Sequence, residues 1–281
     1  MAFDGITIAS IIKELNDTLL GGRIYKIAQP EADELLLTVK VNGGQKRLFI
    51  SAGASLPLIY LTDNNKPSPM TAPSFCMLLR KHLQNARITG ISQPGLERIV
   101  QIEMEHLNEL GDLCSKKLIV EIMGQHSNII FVNNENGIID SIKHISGMVS
   151  SVREVLPGRP YFIPETQNKQ NPLAAGREDF IRTIHGKTMP VHKALYGTYT
   201  GISPLLSQEI CFRAGLDGDY YTASLGENHM TRLADAFFSV MNAVKEGNLQ
   251  PNIVYEGSAP AEYAAHTLNM YGDGERRMIY S

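Results

Sequence analysis

Cysteine is scarce in this chain: Cys76, Cys114 and Cys211 are the only three in 281 residues. They are too few and too scattered for a disulfide framework or a zinc site, so a reducing cytoplasm is the expected location. No apolar run approaches the roughly 20 residues of a membrane-spanning helix, and the N-terminus carries no signal-peptide pattern. No membrane partner is therefore expected. Positive charge is also lacking, since the formal net charge is −3. Global attraction to a polyanion is excluded, and any nucleic-acid contact must come from local basic patches. Catalytic signatures are missing as well. There is no HExxH or paired C-x-x-C, no G-x-S-x-G elbow, and no Walker or GxGxxG loop, so neither an enzyme nor a cofactor is implied. Cys76 and Cys211 fall on apolar faces of predicted helices, where a buried, inert thiol is expected.

What is present is an ordinary globular composition, 43% hydrophobic and 20% charged, in a chain long enough for two domains. "TIASIIKELNDTLLGGRI" has Ile8, Ile11, Ile12, Leu15 and Leu19 at helical spacing. Thr7 is the expected cap and Gly21-Gly22 the expected stop. Strands follow at "RIYKIAQ", "ELLLTVKV", "QKRLFIS" and "LPLIYLT", and a second helix is predicted over 74–87. Further strands are read at "ITGIS", "RIVQIEMEHL", "KKLIVEIMG", "SNIIFVN" and "IIDSIKHI". Two helices among about nine or ten strands argue for an α+β domain built on a mainly antiparallel sheet or sandwich. The proline-rich stretch 156–176 is the best linker candidate, helices dominate beyond it, and residues 251–281 read as a returning strand and loop segment.

Four stretches could carry chemistry. In "PGLERIV", Glu97 and Arg98 are adjacent where a strand should start. Neighbours on a strand point to opposite faces, so both cannot hide in one core. The pair is either a solvated strand end or a recognition element. In "EIMGQHSNIIF" a polar hairpin holds Gln125, His126, Ser127 and Asn128 between two apolar strands. These residues either satisfy their own turn or donate to a phosphate or base. Arg80, Lys81 and Arg87 form a cationic stripe on the predicted 74–87 helix, which is either a solvated face or a phosphate contact. Finally, Gly201 lies in a tight turn before a helix opened by Ser203-Pro204, an arrangement that can offer free N–H groups to a phosphate or simply turn a helical corner.

Taken together, "FDGITIASIIKELNDTLLGGRIYKIAQP", "FCMLLRKHL", "GLERIV", "EIMGQHSNIIF", "LPGRPY" and "GISPLLSQEICFRAG" resemble the N-terminal half of the NFACT family, over nearly the whole chain. The resemblance implies an NFACT-N domain over 1–165, similar to the N-terminal domain of formamidopyrimidine-DNA glycosylases, then a helix-hairpin-helix domain over 175–250. A coiled coil and an NFACT-R domain are expected beyond residue 281. It also implies ribosome-associated quality control: binding of tRNA, alanyl-tRNA in particular, and of the large ribosomal subunit carrying a stranded peptidyl-tRNA, in support of untemplated C-terminal alanine tailing. Peptide-bond formation then belongs to the ribosome. The family's acidic–Arg pair falls on Glu97 and Arg98, implying a tRNA contact. Arg80, Lys81, Arg87, Gln125, His126, Ser127, Asn128, Gly201 and Ser203 are candidate further RNA contacts. Relatives in this family usually carry Asp where Glu97 stands and Arg where Gln125 stands. An older label of the family implies fibronectin as an alternative partner. Glycosylase chemistry is not expected, because that reaction needs an N-terminal proline followed by Glu, and Ala2 and Phe3 follow Met1 here.

Overall fold

The structure is a computed structural model and describes residues 3–108, 110–164, 168–272 and 276–279. Its chain divides into two compact units. One takes Ile11–Pro94 and the chain from Arg98 to the 160s. The other takes the stretch up to Ser10, Gly95–Glu97 and the C-terminal part.

The first unit is built on one nine-stranded antiparallel sheet, as the alternating pattern predicts. Its strands are β1 (Arg23–Ala28), β2 (Glu34–Val41), β3 (Gly44–Ser51), β4 (Leu58–Thr62), β5 (Arg87–Ser92), β6 (Ile99–Leu107), β7 (Leu113–Glu121), β8 (Asn128–Asn133) and β9 (Ile138–Ser141). They lie in the order β4-β3-β2-β1-β5-β6-β7-β8-β9. Along β2, Leu35, Leu37 and Val39 are buried and face Ile50, Leu48 and Lys46 of β3 in register.

The joint between β1 and β5 is narrow, with Arg23 opposite Arg87 the one register pair of the ladder. Beyond it, β1 carbonyls are taken by helix α2 (Ser74–Leu83). The Gln84 amide following α2 donates to Tyr25 O at 2.6 Å, Arg80 Nε to Ile27 O at 2.9 Å, and Cys76 Sγ to the same oxygen at 3.7 Å. The helix expected to reach residue 87 therefore stops at Leu83. Asn85 turns the chain at φ 63°, and Arg87 opens β5.

A buried carboxylate closes the far side of the sheet. Glu121, 1% exposed, pairs with Arg153 and accepts from the Tyr161 hydroxyl at 2.9 Å. Burial first, and the carboxylate second, raise the Tyr161 phenol. These bonds pin residues 153–161 onto β7. The strand expected at "IIDSIKHI" ends at Ser141, and the expected domain end at 165 lies outside the described residues.

In the second unit, helices α3 (Arg177–His185), α4 (Val191–Thr198), α5 (Pro204–Arg213) and α6 (Glu227–Glu246) close around Phe180, Tyr199 and Phe237. Phe180 and Phe237 have ring centroids 4.4 Å apart, within reach of offset packing. That part is helical, as expected, and its four helices share a single core, but a helix-hairpin-helix domain is not distinguished among the described residues. A three-stranded sheet follows, ordered β11 (Ala259–Ala264), β10 (Asn252–Glu256), β12 (Arg276–Ile279). The fully buried Glu209 on α5 fastens this end: it pairs with Arg213 at 2.7 Å and accepts the N–H groups of Asn269 and Met270, each at 3.0 Å.

Helix α1 (Gly5–Leu19) starts three residues earlier than the Thr7 cap predicts. Asp4 is the cap: its Oδ1 accepts Thr7 N at 2.8 Å and Thr7 Oγ1 at 2.9 Å. Asp4 Oδ2 also accepts the Ser203 hydroxyl at 2.8 Å, while Ser203 Oγ accepts Leu206 N at 3.2 Å. One bond thus ties the caps of α1 and α5 together. Next to it, Gly5 N donates to Gly201 O at 3.0 Å, and the Leu96 carbonyl fits against both glycines.

A Cβ on Gly5 would lie 2.2 Å from Leu96 O and 2.6 Å from the Gly201 Cα. Gly5→Ala is therefore expected to cost roughly 1–3 kcal/mol or more, lowering Tm by about 3–12 °C. Gly197→Ala, on α4 with nothing within 4 Å, should hold or raise Tm. Thermal unfolding followed by circular dichroism checks both, and equal melting of the two variants would contradict the close packing.

Candidate nucleic-acid interface

Arg98 stands one residue before β6 begins. Its carbonyl accepts Ile122 N at 2.8 Å, which extends the β6–β7 ladder one step beyond the Ile99–Glu121 pair. The backbone is thereby fixed, while the side chain is exposed. Among the described residues no hydrogen bond or ion pair holds its guanidinium. Glu121, the nearest carboxylate along β7, is occupied by Arg153. The fork of Arg98 thus keeps its donors for an outside acceptor.

The polar hairpin begins immediately after Ile122, so the ladder brings Arg98 and residues 123–128 to one end of the sheet. The turn is a short 3-10 segment, Gly124–His126. Its four candidate residues divide into two kinds. Ser127 and Asn128 are 1% and 3% exposed and serve the fold. Ser127 Oγ accepts Met123 N at 2.8 Å. The Asn128 amide donates to Lys143 O at 2.9 Å and accepts Lys143 N at 3.1 Å. Gln125 and His126 are exposed, with Gln125 Nε2 3.2 Å from His126 Nε2. Those two side chains, beside Arg98, are the ones free to meet a ligand.

Lys143 is a neighbour of the turn that sequence reasoning passed over. Its ammonium donates to Ala52 O and, at 3.1 Å, to Ser127 O, tying the turn to the loop after β3. A lysine inside the apolar run "IIDSIKHI" was the available signal.

The other candidates are not gathered with Arg98 into one constellation. Arg80 is half-buried, and its Nε is committed to the Ile27 carbonyl. Lys81 is exposed on α2. Arg87 lies on β5 and not on the helix, so the stripe expected along 74–87 is broken by the turn at Asn85. Glu97 belongs to the second unit. It is half-buried and follows Leu96, whose carbonyl is the one gripped by Gly5 and Gly201. In the same unit Ser203 has given its single proton to Asp4, and the Gly201 carbonyl is bonded to Gly5, so both are used by the helix junction itself.

Nucleophilic chemistry finds no support in the thiols. Burial raises the Cys76 thiol, and burial aided by Asp217 and Asp219 pushes Cys211 up to about 12. At pH 8 a disulfide reagent is therefore expected to titrate Cys114 promptly in the native protein and all three thiols only after denaturation. Rapid native labelling of Cys76 or Cys211 would contradict their placement.

Known proteins resemble this chain throughout its length. A family model for NFACT N-terminal and middle domains matches residues 4–279. The chain is 36% identical over 277 residues to "Rqc2 homolog RqcH" of Bacillus subtilis, covering 98% of this chain and 47% of that protein. It is 29% identical over 284 residues to "Archaeal Rqc2 homolog aRqcH" of Methanocaldococcus jannaschii, covering 98% and 40%. The chain thus spans less than half the length of these relatives. Among solved structures, the fibrinogen binding protein from Staphylococcus aureus superimposes with a TM-score of 0.80 at 29% identity, covering 100% of this chain and 95% of that one. The N-terminal part of the fibronectin/fibrinogen-binding protein from Streptococcus suis does so with a TM-score of 0.77 at 30% identity, covering 94% and 90%.

Proposed function

The chain belongs to the family of NFACT N-terminal and middle domains, and from that premise we propose that it is the RNA-binding part of a ribosome-associated quality-control factor. In this reading it engages tRNA, with alanyl-tRNA the preferred species, on a large ribosomal subunit that holds a stranded peptidyl-tRNA. It thereby supports C-terminal alanine tailing, in the cytoplasm. The peptide bond is made by the ribosome, and the protein contributes binding and orientation.

One observation carries this reading: the exposed Arg98 guanidinium, without an internal partner among the described residues, on a backbone fixed by the β6–β7 ladder and beside the exposed Gln125 and His126. An exposed Arg that stabilised only its own fold would be expected to have a carboxylate or carbonyl to bind. A fork of donors on a rigid strand end suits a phosphate or the acceptor edge of a base. Glu97, adjacent in the chain, supplies an acceptor for a base amino group. Its extra methylene relative to Asp, and the neutral Gln125, make a longer and less cationic contact than the family pattern implies.

Arg98→Ala is expected to weaken tRNA binding about 5–150-fold, the worth of one good forked contact, with Tm unchanged because the side chain is exposed and no hydrogen bond or ion pair among the described residues holds it. Arg98→Lys should recover only part of the loss, since a point charge cannot reproduce the fork. Filter binding with purified tRNA measures both. Full affinity in a folded Arg98→Ala protein would remove the residue from the interface.

A second reading has its own support in the Streptococcus suis and Staphylococcus aureus structures, whose descriptions specify fibronectin or fibrinogen binding. Fractionation of cells separates the two: co-sedimentation with large ribosomal subunits supports the first, and exposure on intact cells the second.

A further inference from the structure

A row of three cations crosses the sheet far from Arg98. Lys40 of β2 is in register with Arg23 of β1, and Arg23 with Arg87 of β5. Residues paired directly across neighbouring strands point to the same side of the sheet. At about 4.8 Å per strand, an ammonium and two guanidiniums share one face within about 10 Å. All three side chains are exposed, as is Lys26. Tyr25, displaced by the irregularity between Ile24 and Lys26, is 45% exposed and lies under Lys40, whose Nζ is 4.2 Å from the ring centroid.

Among the described residues no ion pair neutralises this row. Arg23 Nη1 donates to the Asn85 carbonyl at 3.1 Å, a neutral acceptor. Arg87 is in register with Glu105 of β6, yet among the described residues no ion pair joins them. Like charges directly opposite one another destabilise a ladder. Two such pairs in succession, in a chain whose net charge is −3, are a local arrangement that stability does not explain. The Arg23–Arg87 pair also lies at the narrow β1–β5 joint, where backbone pairing is least extensive.

We propose that Lys40, Arg23 and Arg87 form a seat for the sugar–phosphate backbone of RNA, separate from the Arg98 contact. The proposal rests on the RNA-binding reading above and extends it to a second surface. Arg98, one residue before β6, and Glu105 are seven residues apart along the same extended stretch, which places the row about 24 Å from Arg98 and, the separation being odd, on the opposite face of that strand. A mononucleotide cannot span that distance, whereas a folded RNA can. The exposed face of Tyr25 adds a surface on which a base or ribose can rest. Contacts of this kind read charge and not sequence, so they contribute affinity and a steep salt dependence.

The test compares tRNA binding by the full chain and its variants between about 50 and 200 mM salt. Lys40→Gln/Arg23→Gln/Arg87→Gln is expected to weaken binding at least tenfold and to flatten the plot of log affinity against log salt by about 2–3 in slope, one unit or slightly less per phosphate. Arg23→Lys/Arg87→Lys should leave both quantities near wild type, in contrast to Arg98→Lys, because phosphate contacts here need charge and not a fork. Tm of the triple variant should hold or rise as like-charge repulsion is relieved. Wild-type affinity and slope in the triple variant, while Arg98→Ala still impairs binding, would overturn the second surface alone. Absence of RNA binding by the wild-type chain would overturn both surfaces together. A clear fall in Tm on removing the three charges would assign them to the fold instead.

Discussion

The grip of two glycines on one carbonyl underlies much of this structure. Gly5, at the first position of α1, and Gly201, just before α5, both approach Leu96 O more closely than any side chain would allow. A hydrogen bond between the two glycines and the Asp4–Ser203 bond lock the arrangement. Three segments remote in sequence, around residues 4, 96 and 203, are held by contacts a few ångströms long. Loop-closure entropy opposes such a meeting. Here it is offset by two capped helix starts and by the burial of Ile6, Leu96 and Leu206 in one core. The consequence for function is positional. In one unit Leu96 is fixed just ahead of Glu97; in the other the β6–β7 ladder fixes the Arg98 backbone through Ile122.

The same economy of polar groups explains why the candidate RNA residues separate as they do. A buried polar atom must find a partner, so Ser127, Asn128 and Ser203 are consumed by turns and caps. A partly buried guanidinium is drawn to an orphan carbonyl, and Arg80 duly fills one on β1. What remains is a short set of exposed groups that no carboxylate neutralises through an ion pair among the described residues: Arg98 with the Gln125–His126 tip at one end of the sheet, and the Lys40–Arg23–Arg87 row. The chain's acidic balance makes these two concentrations more telling, since unpaired cations in close succession stand against the average composition. Family membership gives the ligand class its meaning, and the exposure of these groups gives it a place.

The sheet itself was legible in the sequence because its strands are short apolar runs, alternating in β6 and continuous in β2 and β8, with turn residues between them. The second helix was read four residues too long. Its apolar spacing continues through Ala86, and only the left-handed turn at Asn85, stabilised by Gln84 reaching Tyr25 O, shows where it stops. Thr7 looked like a cap, whereas the stronger carboxylate acceptor three residues earlier took that role. Lys143 could not be placed because its partners, Ala52 and Ser127, are distant in the chain.

By itself, then, the sequence determined the α+β class, the antiparallel sheet, the inertness expected of two thiols and, through ordered motifs, the family. These depend on local periodicity and on residue types whose preferences act within a few positions. The tertiary structure decided which polar residues are spent inside the fold and which stay available, and it alone aligned Lys40, Arg23 and Arg87. The reason is register. Charges spread over more than forty residues of chain become neighbours only when three strands pair, and no local preference encodes that pairing.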